Sequence, residues 1–166
     1  MIAPTQESAV PPQQPASRNL QSQTWNAVLD FHRELFTRLN RRMIAEFGIS
    51  LTRFDVLAQL YACPDGLTQG ELSRRLKVTG GNVSGLVRRM AAENLIVRDT
   101  APDDRRAVIV RATQTGRDTF LAARAHHDTL LHEWLGSTPD SHLTAICAEL
   151  ADLTARVATQ EEEHIQ

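Results

Sequence analysis

Residues 68–111 constrain the fold more than any other stretch of this chain. They begin with Thr68 and Glu71, three apart, ahead of Leu72 and Leu76. This spacing predicts a capping box, in which each side chain satisfies an orphan amide at a helix start. Thr79 is the next expected helix cap. Behind it Val83, Leu86, Val87 and Met90 fall at i, i+3, i+4 and i+7, the signature of one buried helical stripe. Leu95–Arg98 and Ala107–Arg111 are short β-branched runs joined by a polar turn with Pro102, Asp103 and Asp104. They predict a hairpin. Two short helices, a hairpin and a basic loop follow in that order.

Off the buried stripe of the second helix lie Gly80, Gly81, Asn82, Ser84, Gly85, Arg88 and Arg89. An ordinary amphipathic helix carries Glu, Lys and Ala at such positions. Small polar residues near the start of a second helix let its backbone approach a base-pair edge. Charge distribution agrees. The chain has a net charge of −2 over 166 residues, which alone argues against nucleic acid. Yet residues 74–111 hold nine basic residues against four acidic, and residues 112–166 hold three against nine. A local basic patch matters more for DNA than the total does. The arrangement predicts a winged helix-turn-helix that reads double-stranded DNA.

The flanks read as helices. Residues 1–20 are rich in Pro, Gln, Ser and Ala, a composition that predicts a disordered tail. From Trp25 a helical pattern runs through Val28, Leu29, His32, Leu35, Phe36, Leu39, Met43 and Phe47, ending at Gly48 as a left-handed cap. Thr52 is the expected cap of a second helix with Val56, Leu57 and Leu60, closed by Cys63 and Pro64. Thr113 is expected to cap a long helix with Phe120, Leu121, His127, Leu130, Leu131 and Trp134 inward, stopped by Gly136. Thr138 and Pro139 restart a last helix with Leu143, Ile146, Cys147, Leu150, Leu153 and Val157 on one face. The expected fold is mainly α with a small β-hairpin (α+β). A single domain covers residues 21–166, with the winged module at about 50–112 and dimerisation helices at about 21–47 and 113–160. Apolar stripes at both ends of the chain predict a twofold partner, because a monomer would expose too large an apolar patch.

Other classes find little support. No apolar run reaches the roughly 20 residues that span a bilayer. No signal peptide is apparent, and two cysteines make neither a disulfide framework nor a metal spacing. A cytoplasmic setting is expected. Paired carboxylates, a nucleophile elbow and a phosphate loop are missing, so neither an enzyme nor a cofactor is expected. An enzyme using the histidines and a helical adaptor remain as alternatives of other classes. Adjacent His126 and His127 point about 100° apart on a helix and make no two-ligand face. Convergence of His32 with His132 and Glu133 would be needed for metal sensing. Cys63 and Cys147, among apolar neighbours, read as inert packing.

The chain resembles the MarR family of bacterial transcription regulators over about residues 25–160. The resemblance is carried by Gly66-Leu-Thr-Gln, by Val78-Thr-Gly-Gly-Asn82-Val-Ser-Gly-Leu-Val-Arg-Arg-Met, and by Asp104-Arg105-Arg106-Ala107 with Ala112-Thr113-x-x-Gly116-Arg117. Ala112 stands where the family usually has Leu. The resemblance implies an obligate homodimer whose first and last helices interlock, and repression relieved by a small ligand. The implied DNA-binding residues are Thr79, Gly80, Gly81, Asn82, Ser84, Arg88 and Arg89, with Asp104 bracing an arginine and Arg105 or Arg106 entering the minor groove. In this family the ligand pocket lies between the dimer helices and the winged module. Candidates there are Trp25, Phe31, His32, Phe36, Leu57 and Tyr61, with Arg33, Arg38, Arg41 and Arg42 on the first helix. Aromatic residues beside guanidinium groups suit an aromatic acid or its coenzyme A thioester. A redox- or metal-sensing repressor of the same fold is the alternative.

Overall fold

The computed structural model describes residues 16–77, 80–100 and 107–164. Among these residues six helices and three strands follow in the order α1 (Ala16–Phe47), α2 (Leu51–Ala62), β1 (Leu67–Thr68), α3 (Gln69–Leu76), α4 (Gly80–Ala92), β2 (Ile96–Thr100), β3 (Val108–Ala112), α5 (Gln114–Leu135) and α6 (Asp140–His164).

Most boundaries follow local chemistry. Gly48 ends α1 at φ +66, a left-handed turn that glycine adopts without steric cost. Ser50 caps α2 by accepting from the Arg53 amide, in place of the expected Thr52. The reason is tertiary: Asn40 of α1 accepts from the Leu51 amide at 2.9 Å, which fixes the helix start two residues early. Thr113 caps α5 by accepting from the Gly116 amide, and its hydroxyl also donates to the Asn94 carbonyl. The first helix begins at Ala16, so Ala16–Leu20, assigned to the tail by composition, belong to α1. Helical hydrogen bonds propagate once a turn exists, and composition does not register that cooperativity.

The sheet has three antiparallel strands in the order β1-β3-β2. Thr100 pairs with Val108 at the tip and Ile96 with Ala112 at the base, so β2 and β3 form the expected hairpin. Short β1 joins its other edge through Leu67 and Val110.

The core lies where α2, α3, α4 and the sheet meet. Met43, Val56, Leu57, Leu72, Val83, Val87, Met90 and Val110 have no exposed surface. The four-residue stripe on α4 is buried as the spacing required. Gly116 makes the junction of α5 possible, since a Cβ there would collide with the Leu95 carbonyl. The helical lobe differs. Of the expected α1 stripe, Leu39 and Met43 are buried and Leu35 and Phe47 partly so, whereas Trp25, Val28 and Phe36 are exposed. Leu121 faces outward rather than inward, and Ile146, Leu150, Leu153 and Val157 of α6 are all exposed. The faces are amphipathic, but among the described residues of one chain these side chains stay uncovered.

Candidate nucleic-acid interface

Helix α3 is fixed at both ends. Its capping box is complete: the Glu71 carboxylate accepts from the Thr68 amide and hydroxyl at 2.8 and 2.7 Å, and the Glu71 amide donates to the Thr68 hydroxyl. These bonds hold the Glu71 carboxyl below its ordinary range. At the other end Lys77 takes a left-handed conformation, φ 53, which turns the chain toward α4. Non-glycine residues adopt it at a steric cost, so this turn is held by its surroundings.

Burying Val83, Leu86, Val87 and Met90 sends the opposite side of α4 outward. Gly80, Gly81, Asn82, Arg88 and Arg89 are exposed, and Ser84 and Gly85 are half-buried. A Cβ at Gly80 or Gly81 would meet open space, so neither glycine is required by packing. Among the described residues no carboxylate pairs with Arg88 or Arg89. The helix therefore presents a thin, uncrowded first turn and, in its third, two guanidinium groups that no described carboxylate engages. Thr79, Asp104, Arg105 and Arg106 lie outside the described residues.

The base of the wing is braced. Arg111 on β3 binds the Asp99 carboxylate on β2 and donates from Nε to the Asp65 carbonyl at 2.9 Å. Gly66, at φ +94, makes room: a Cβ there would strike the Arg111 side chain and the Val110 carbonyl. This brace was not expected from sequence. A signal existed in Gly66 and in the same-face spacing of Asp99 and Arg111, but it required the strand register.

The proposed ligand residues do not gather at one site. Leu57 is fully buried core, and the Tyr61 ring lies tilted against Phe120 with centroids 5.0 Å apart. His32 stacks on Phe36 on the exposed side of α1. Arg33 pairs with Asp30, and Arg38 with Glu34. Trp25 and Val28 line a cleft with Leu150, Leu153 and Val157 of α6. Phe31 lines a second cavity with Leu35, Arg38 and Trp134. Arg38, Arg41 and Arg42 line a third of about 530 Å³ with Leu130, Glu133 and Trp134. The physical reason is length. Residues 25–42 of one helix span about 25 Å at 1.5 Å per residue, too far to surround one small molecule. Trp134, read from sequence as core, lines two of these cavities, as does Arg38.

Among the described residues no cluster of three His, Cys, Asp or Glu side chains could hold a metal. His126 meets Phe47 edge-on at 5.6 Å, while His127 stacks on Phe54 at 5.1 Å. Desolvation pushes the Asp55 carboxyl up, and His127 pulls it the other way. Cys63 is half-buried, packs against the core and accepts from Arg75, whereas Cys147 is exposed on α6. No described helix is long and apolar enough to cross a membrane.

A helix-turn-helix with an open second helix, followed by a braced β-hairpin, defines a winged-helix DNA-binding protein. The MarR family profile matches residues 47–107. A MarR family transcriptional regulator from Silicibacter pomeroyi is 34% identical, superposes with a TM-score of 0.76, and covers 87% of this chain and 99% of its own. The chain belongs to the MarR family of transcriptional regulators. An HTH-type transcriptional regulator from Bacillus subtilis, YdgJ, is 24% identical over 90 residues, 54% of each chain, so the match spans about half of that relative. CouR from Rhodococcus jostii RHA1, solved with p-coumaroyl-CoA, shares the fold at 20% identity with a TM-score of 0.67, over 76% of this chain and 88% of its own.

Proposed function

We propose that the protein is a homodimeric repressor that binds a pseudo-palindromic operator and leaves it when a small anionic aromatic compound, or its coenzyme A thioester, binds. The observation that carries the DNA reading is the outward side of α4: open glycines at its start, with Asn82 and Ser84, and exposed Arg88 and Arg89 two turns on. In this reading Thr79, Gly80, Gly81, Asn82 and Ser84 approach the major groove, and Arg88 and Arg89 reach bases or phosphates. On the same reading Asp104 would brace an arginine while Arg105 or Arg106 enters the minor groove.

The dimer is supported by what one chain leaves uncovered. Trp25 and Val157 are each 62% exposed, and Ile146 is 52% exposed. These residues and their neighbours form apolar surface on α1 and α6, away from the winged module, which a second copy would cover. The ligand class is supported by aromatic side chains beside guanidinium groups along α1, and CouR offers an aromatic thioester as precedent within the fold.

A gel-shift against the DNA upstream of the chain's own gene tests the reading. Affinity should fall steeply with salt, because each phosphate neutralised releases a counterion and contributes about −0.9 to the log–log slope. Binding that stays flat from roughly 50 to 200 mM salt would overturn it. Arg106→Ala should weaken operator binding and leave the fold and the dimer intact.

A further inference from the structure

We infer that the two adjacent arginines of α4 divide the work on DNA: Arg89 reads a guanine beside an adenine read by Asn82, whereas Arg88 holds a phosphate. This rests on the reading of α4 as the helix that enters the major groove. At about 100° per residue, Asn82, Gly85 and Arg89 form one row along the helix, at i, i+3 and i+7. Gly81, Ser84 and Arg88 form a second row at the same spacing. The buried Val83, Leu86, Val87 and Met90 take the remaining side.

Arg89 does not extend away from the start of its helix. Its Nη1 lies back over Gly85, 3.6 Å from where a Cβ of that residue would stand. The distance matters for what it can read. Seven positions separate Asn82 from Arg89, about 10 Å along the axis, or roughly three base-pair steps. Drawn back to Gly85, the guanidinium stands about 4.5 Å from the level of Asn82, close to the roughly 3.4 Å rise between base pairs. Two neighbouring base pairs are then in reach together. A guanidinium fork pairs with O6 and N7 of guanine, and a carboxamide with N6 and N7 of adenine. Among the described residues no hydrogen bond occupies the Asn82 carboxamide. Arg88 is placed differently. It comes within 4 Å of neither Cβ position at Gly81 and Gly85, and Ser84 stands on its row where Arg89 has glycine. A phosphate asks of it only reach and charge.

A contact from outside the helix keeps Arg89 available. Glu93 stands one turn on, its amide donating to the Arg89 carbonyl at 3.1 Å. That is the spacing at which helical Arg and Glu side chains pair. Both Glu93 carboxylate oxygens are instead taken by Arg53 of α2, at 2.6 Å each. Arg53 is therefore a positioning residue. It withholds the carboxylate that would draw Arg89 toward the helix end, while Gly85 leaves the opposite direction open.

Selection by the full chain from a pool of random-sequence duplexes, followed by competition binding, tests this. The site that wild type retains should carry adenine and guanine on neighbouring base pairs in each half. Asn82→Ala should lose the adenine preference and Arg89→Ala the guanine preference, each by about fivefold or more. Arg88→Ala should keep both preferences, bind all duplexes more weakly and show a shallower salt dependence. Gly85→Ala should keep the guanine, because a Cβ at 3.6 Å is an ordinary contact, whereas the branched side chain of Gly85→Val should displace the guanidinium and lose it. Arg53→Gln should lower the guanine preference by freeing Glu93. The double variant Arg53→Gln/Glu93→Gln should restore that preference although affinity stays low, which separates positioning from stability. The inference is overturned if the retained site lacks the neighbouring adenine and guanine, or if Arg88→Ala rather than Arg89→Ala erases the guanine. It is overturned equally if Gly85→Val keeps the guanine, or if the Arg53 single and double variants share one preference. A wild-type chain that retains no duplex would instead refute the DNA reading itself.

Discussion

Arg53 on α2 grips Glu93, just beyond the end of α4, through two parallel hydrogen bonds of 2.6 Å each. The Arg53 side chain is 17% exposed and that of Glu93 46%, so water screens the pair on one side only. Forty residues separate them in sequence. The pair ties the far end of the DNA-facing helix to α2, which in turn packs against α5. Removing Glu93 would leave a largely covered guanidinium without its fork partner. Glu93→Gln should therefore cost about 1 kcal/mol of stability, between an exposed pair and a buried one. Urea unfolding measures it, and a gel-shift should show weaker operator binding as α4 loses its anchor.

Gly116 and Gly70 should respond oppositely to alanine. At Gly116 the new Cβ meets the Leu95 backbone, which cannot swing aside, so α5 must shift from the sheet. A loss of about 3 kcal/mol is expected for such overpacking at a fixed backbone. At Gly70, on the first turn of α3, a Cβ meets nothing within 4 Å. There alanine should raise stability by about 0.5 kcal/mol by restricting the unfolded chain. Equal thermal shifts for the two variants would contradict the packing described.

The Thr68–Glu71 capping box gives stability an acid limb. Glu71 has its folded pKa depressed by the bonds from Thr68, so its contribution is complete above the ordinary value of 4.5. It is lost as pH falls through the lower folded value, where the carboxylate takes up a proton and the bonds weaken. Thr68→Ala should cost about 1 kcal/mol at neutral pH through the lost cap. It should also flatten this part of the stability profile in acid. A profile identical in shape to wild type would show that Glu71 draws its shift from elsewhere.

Bulk on α4 should separate DNA binding from folding. Gly81 is open to solvent, so Gly81→Leu leaves the core untouched. A leucine there would hold the helix backbone off the groove floor and should abolish operator binding. Circular dichroism and oligomeric state should remain as in wild type. Operator affinity within a factor of two of wild type would remove Gly81 from the interface.

Truncation of residues 140–166 should yield monomeric or insoluble protein, because it deletes α6 and half of the apolar cleft with Trp25. Sedimentation equilibrium decides this. A soluble dimer that still binds DNA would place the seam elsewhere.

The winged module was legible because its determinants are local. The capping box at Thr68, the cap at Thr113, the α4 stripe and the hairpin each depend on residues a few positions apart, where helical and strand geometry fixes who meets whom. One glycine-rich helix between an amphipathic helix and a basic turn left few alternatives. Strand β1 was not legible, since two residues carry no periodicity and become a strand only by pairing Leu67 with Val110. Nor was the Arg111 brace, which joins Asp65 to Asp99 across three segments.

The sequence by itself determined the family, the helix order and the side of α4 that faces away from the core. Tertiary structure alone decided which apolar residues of α1 and α6 stay uncovered, and which arginines share a cavity. A helical stripe says that a face wants burial but not what buries it, so Trp25 and Met43 looked alike in sequence, although one is 62% exposed and the other has no exposed surface. The same limit hid the cavity of about 530 Å³: Arg42 and Trp134 lie 92 positions apart, and only the packing of α5 on α1 brings both to line it.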